Sequence, residues 1–157
     1  MKVEEALYAI RNKINDRDEI GLDDDEILSY LNEALQYISA YMISVNSPLL
    51  TKSETINSKT FELPTNFVRF AGMFPVKVEG RIGELLESAP VNVKYFLSID
   101  EVKITSNMPF TQLALNQVAI KLACIYAQNQ QGLNVQQDKA LLDEINGAIA
   151  GAISSAK

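Results

Sequence analysis

The 157-residue chain has no histidine and a single cysteine. Without an imidazole there is no Ser-His-Asp or Cys-His relay, no His-containing zinc site, and no access to the commonest general base. The lone thiol, Cys124, cannot close an internal disulfide, so nothing points to an oxidising compartment and an intracellular protein is expected. Cys124 lies in the most apolar stretch of the chain with no basic neighbour in sequence, which marks it as a buried structural thiol. Grouped basic residues are also missing. The longest basic cluster is Arg11 with Lys13, against a net charge of −6. Non-specific DNA binding draws on counterion release by clustered Lys and Arg, so tight binding to nucleic acid is not expected. No apolar run approaches the roughly 18 to 20 residues that span a bilayer. The opening MKVEEALYAIRNKIND is charged and amphipathic and lacks the apolar middle of a signal peptide. Gly72, Gly80 and Gly83 match neither nucleotide-binding glycine fingerprint.

What remains is ordinary for a globular protein, with 47% hydrophobic and 22% charged residues. Val3, Leu7, Ile10 and Ile14 recur at helical spacing over residues 2–15, leaving Glu4, Glu5, Arg11 and Lys13 for water. A second helix starts at an Asp23 N-cap, with Glu26 completing a capping box and Leu22 and Ile27 forming a hydrophobic staple. Its stripe is Ile27, Leu31, Ala34, Leu35, Ile38, Met42 and Val45, and Asn46-Ser-Pro48 ends it.

Residues 49–107 change character. Thr60–Leu63, Val76–Glu79 and Val91–Tyr95 alternate with period two, and Asp100-Glu101 is placed to turn the chain between Leu97/Ile99 and Val102–Ile104. Prolines and glycines punctuate the stretch, which predicts short strands in a small antiparallel sheet. Helix returns after Pro109, and Leu113 to Ala127 is apolar almost all round, so it should be buried on several sides. Asn134 with Gln137 is placed to cap a last helix whose stripe is Leu141, Leu142, Ile145, Ile149 and Ile153. The expected fold is α+β and mainly α: a four-helix bundle-like core with a small antiparallel β subdomain inserted between helices 2 and 3. The expected layout is a single domain, with helical core 1–48 and 109–157 and β subdomain 49–108.

Three features invite a chemical reading. Asp16-Arg-Asp-Glu-Ile-Gly21 has the oxygen spacing and glycine of an EF-hand start, but Ile20 and Ile27 stand where ligands are needed. It reads as a solvated acidic loop, and no metal or cofactor site is expected. Gly147-Ala-Ile-Ala-Gly151 leaves one helix face almost without bulk, either for tight packing or for a partner. Phe67, Arg69 and Phe70 form either an exposed anchor cluster or an aromatic face over the core with Arg69 turned to water. Enzyme is the least supported class.

Two patterns carry a resemblance. Leu31-Asn-Glu-Ala-Leu35 lies in the second helix, and Phe61-Glu-Leu-Pro-Thr-Asn-Phe-Val-Arg69 opens the β region. Val78-Glu-Gly-Arg-Ile-Gly-Glu-Leu85 and the helical Gln136–Leu142 follow in the same order. The chain resembles the head-to-tail adaptor proteins of short-tailed bacteriophages, also called tail accessory or tail tubular proteins. The resemblance implies a non-enzymatic structural protein of the virion, present in the host cytoplasm during assembly. It implies a ring, dodecameric in that family, bound to the portal protein and joined by other tail proteins. DNA would pass through without tight binding, which suits an acidic chain. Phe67, Arg69, Ile145, Ile149 and Ile153 are then candidate portal or inter-subunit contacts, the isoleucines through a Gly-weakened last helix that orders on docking. A connector of a long-tailed phage and a non-enzymatic helical interaction module are the alternatives.

Overall fold

The computed structural model describes residues 1–15, 21–130 and 139–155. Its elements are helices α1 (Val3–Lys13), α2 (Asp24–Ser44), α3 (Leu113–Gln130) and α4 (Lys139–Ser155), with six strands between α2 and α3. The strands are β1 (Thr51–Ile56), β2 (Thr60–Glu62), β3 (Phe67–Phe70), β4 (Val76–Glu79), β5 (Ile82–Leu85) and β6 (Val91–Leu97). The chain divides into two compact units, one of residues Met1–Tyr41 with Glu101–Lys157, the other Met42–Asp100.

In the first unit the closest helix pairs are α1 with α3 and α3 with α4. The 3.6-residue stripe of α2 is buried as its spacing demands, through Ile27, Leu31, Ala34, Leu35 and Ile38. Asp23 Oδ1 accepts from the Glu26 N–H at 2.8 Å, an N-cap bond on one of the orphan donors of the helix start. Arg11 departs from the sequence expectation. It is 5% exposed rather than solvated, because its guanidinium donates to the Leu22 carbonyl and to Asp24 Oδ1, both at 2.8 Å. A buried guanidinium persists only when it is paired and hydrogen-bonded in this way. Pro109 precedes the first turn of α3 by several residues instead of occupying it.

Val102–Ile104, expected as a strand, is not one. The side-chain amide of Asn32 takes the place of a strand partner: its Nδ2 donates to the Val102 carbonyl at 3.1 Å, and its Oδ1 accepts from the Val102 N–H at 2.7 Å. Both backbone groups of Val102 are thereby satisfied without a ladder.

The second unit begins with the end of α2. Asn46 adopts φ 57°, its N–H donates to the Ile43 carbonyl at 3.0 Å, and the Ser47 N–H donates to the Met42 carbonyl at 2.9 Å. These paired bonds form a Schellman motif with asparagine in the left-handed position, and Pro48 follows where a helix cannot continue. Val45 therefore leaves the apolar stripe and is exposed.

The expected four-helix bundle with one small inserted sheet is overturned at this point. The strands form two three-stranded antiparallel sheets, ordered β1-β6-β3 and β2-β5-β4. Side chains from both sheets share one core. Ile56, Leu85, Val93 and Tyr95 are buried, with Phe61, Phe67, Phe70, Phe74 and Val76 packed against them. The extra sheet escaped the sequence pattern because β1, Thr-Lys-Ser-Glu-Thr-Ile, is nearly all polar and is held by backbone pairing to β6. Lys52 and Glu54 lie on the inward side of this edge strand, opposite Tyr95 and Val93. Inward charges of this kind protect an edge from pairing with another chain.

Candidate functional site: the Arg69 cleft

β3 places the site. It pairs with β6 as Phe67↔Leu97, Arg69↔Phe96 and Phe70↔Tyr95, with an irregularity between Phe67 and Arg69. The extra residue is Val68, a β-bulge that changes which side chains share a face. Strict alternation would set Phe67 and Phe70 on opposite faces. With the bulge both enter the core, where their rings meet edge to face at 5.1 Å between centroids. Arg69 is left on the other face, opposite Phe96.

Arg69 is exposed yet held at three points. Its Nη2 donates to the Ile43 carbonyl at 2.8 Å and to Asn46 Oδ1 at 2.7 Å. Its guanidinium carbon lies 4.5 Å from the centroid of the Phe96 ring. The last turn of α2 has no basic residue of its own. Arg69 supplies the cation that a helix C-terminus favours and adds a second donor to one of its terminal carbonyls. Stacking on an aromatic face suits a planar, weakly hydrated guanidinium better than an ammonium.

Around Arg69 is a cavity of about 350 Å³ lined also by Asn46, Thr51, Gly72, Lys94 and Phe96. The Thr51 hydroxyl is committed to the Pro48 carbonyl at 2.8 Å. Gly72 has φ 136°, in the region that L side chains rarely adopt, and lets the chain leave β3 at this point. Next along the chain before β3, Asn66 donates from Nδ2 to the Ser98 carbonyl at 2.9 Å, a bond that a carboxylate at this position could not make.

The other sequence-derived candidates lie elsewhere. Phe67 serves the core of the two sheets. Ile145, Ile149 and Ile153 are 1%, 0% and 6% exposed on α4, so their side chains are already covered within the chain. Removing the chain after Asn146 would therefore delete buried core residues as well as any docking segment. Gly147 and Gly151 are exposed, and among the described residues a Cβ on either would meet nothing within 4 Å, so close packing against those residues does not require them. The Asp16–Ile20 part of the acidic loop and the Asn134–Gln137 cap lie outside the described residues. Among the described residues no group of three or more His, Cys, Asp or Glu is placed to hold a metal ion. No helix among them is long and apolar enough to cross a membrane.

Cys124 is buried, with its Sγ 4.0 Å from the Ile10 carbonyl. Burial pushes its thiol up to about 11, only partly opposed by Lys13, so it stays protonated and a poor nucleophile at neutral pH. A second cavity, about 560 Å³ between α1 and α3, is walled by Ala9, Ala114, Val118 and Ile120, with Lys13 and Lys121 beside them. Lys121 is already paired with Glu144 at 2.7 Å.

Two polar residues of the patterns quoted above thus have defined work. Asn32 satisfies Val102, and Arg69 ties the end of α2 to β3 and β6. Sequence reading singled out Arg69 but missed its partners, because Ile43, Asn46 and Phe96 come from two other elements. Lys94 carried no signal at all. No family model matches the chain, and no curated protein matches it.

Proposed function

We propose that this protein is a structural subunit of a bacteriophage virion, a head-to-tail adaptor of the short-tailed kind. In this reading copies form a ring below the portal that extends the DNA channel toward the tail. The observation that carries it is the pairing of Leu31-Asn-Glu-Ala-Leu35 with Phe61-Glu-Leu-Pro-Thr-Asn-Phe-Val-Arg69 in one chain. The polar residues of both patterns, Asn32 and Arg69, hold backbone groups far away in sequence. A net charge of −6 also suits a channel that DNA must pass without being held.

The reading gives the chain no catalytic step. With no histidine and its one thiol held protonated, it offers neither an imidazole base nor a thiolate nucleophile at neutral pH. The test is to mix the full chain with portal rings of the same phage and image the product by electron microscopy. An added ring of density at one end of the portal is expected. Absence of association with the portal would refute the adaptor role and favour a helical interaction module.

A further inference from the structure

The Arg69 cleft contains more positive charge than its structural task uses. Arg69 and Lys94 both line it, and no Asp or Glu is among its lining residues. Elsewhere among the described residues Arg11, Lys77, Arg81 and Lys121 each face a carboxylate, while Lys52, Lys59 and Lys103 stand apart from one another without such a pair. Arg69 and Lys94 have no such partner among the described residues. Arg69 is also pre-organised. Both Nη2 hydrogens are taken by Ile43 and Asn46, and the guanidinium carbon lies over the ring of Phe96. Its Nη1 and Nε donors have no protein acceptor among the described residues. Because Asn46 Oδ1 accepts from Arg69, its amide Nδ2 is left as a further donor in the cavity lining.

We propose that this cleft is a carboxylate-binding site that receives an acidic side chain from a partner protein. A fixed guanidinium loses little side-chain freedom on binding, which is the usual cost of using a long cation at an interface. At about 350 Å³ the cavity is at the small end of ligand sites and has ample room for the end of an acidic side chain. A nucleic acid is disfavoured by context. A nucleic-acid backbone needs a track of cations, and here two cations stand on a chain of net charge −6. The proposal stands without the adaptor reading, because it concerns only the chemistry that the cleft accepts.

The test is a titration of the full-length, ¹⁵N-labelled protein followed by amide chemical shifts, with ionic strength held constant by chloride. Sodium acetate and a short oligoglutamate peptide are the carboxylate probes; inorganic phosphate and a short DNA duplex are the others. Saturable shifts at Ala71, Gly72 and Lys94 are expected with both carboxylates, tighter for the peptide. Lys94→Gln should weaken them about tenfold, and Lys94→Arg, which keeps the charge, should retain them. Spectra superimposable outside the cleft verify that each variant is folded. Three results would overturn the proposal: no saturable shift with either carboxylate, an unchanged response in Lys94→Gln, or a stronger response to phosphate or DNA. Should Lys94→Gln fail to fold, the order of affinity among the four probes on the unaltered protein decides alone.

Discussion

A methyl group at Gly83 is the most exacting test of the two-sheet core. Gly83 in β5 stands between Phe61 of β2 and Val78 of β4, on the inward face. A Cβ built there lies under 3 Å from Phe61 Cζ and from both Cε atoms. Carbon atoms in contact prefer about 3.5 to 4 Å, so the ring must retreat by about 1 Å or swing out. Forcing such a shift costs about 1 to 3 kcal/mol. The intrinsic advantage of alanine over glycine in a strand returns about 0.5 to 1 kcal/mol. Gly83→Ala should therefore destabilise the protein by up to about 2.5 kcal/mol, with about 1 kcal/mol at the middle of these ranges. In a Phe61→Ala background the ring is gone, only the backbone gain remains, and the same change should stabilise by about 0.5 kcal/mol. Urea denaturation followed by far-UV circular dichroism of the four proteins measures the cycle. The reversal of sign is the decisive readout. If Gly83→Ala acts in the same direction in both backgrounds, Phe61 is not packed across Gly83 and the inner face is wrongly assigned.

Further outcomes follow from the same physical reasoning. Arg69→Ala should lose about 2 kcal/mol, from one part-buried charge-assisted bond, one exposed bond and the stack on Phe96. Arg69→Lys should recover only part of this, and equal stability of Lys and Arg would refute the role of the planar fork. Asn32→Leu leaves the Val102 N–H and carbonyl without their partner and should cost about 2 kcal/mol in the same assay; a neutral result would mean that the pair contributes nothing to stability. Tyr95 is pushed up to about 12, first by burial and then by its bond to Glu54, against an ordinary 10.0. The folded state thus holds this proton more tightly than the unfolded chain. The stability it contributes is complete below pH 10 and is lost as pH rises toward 12. Tyr95→Phe should flatten the alkaline loss between those values, while leaving the share due to Tyr126, also raised to about 12. An unchanged alkaline profile in Tyr95→Phe would contradict the assignment.

Much of the local architecture was legible along the chain. The 3.6-residue spacing marked α1 and α2, Asp23 marked a helix start, and Asn46-Ser-Pro48 marked the stop. The alternation of Val76–Glu79 delimited β4. These signals are local because capping bonds and apolar faces involve residues a few positions apart. Tertiary structure decided the rest. β1 became a strand despite its polar sequence because β6, some forty residues later, offers it a backbone ladder, and backbone pairing leaves little trace in side-chain pattern. Val68 bulged because Phe67 and Phe70 both find partners in the core, which alternation alone forbids. The burial of Arg11 depends on Leu22 and Asp24, and the setting of Arg69 on Ile43, Asn46 and Phe96. A cation is solvated or committed according to which acceptors the fold carries to it. The sequence named Arg69 as a residue of interest; only folding put Lys94 in the same cleft and left their charge without an acid.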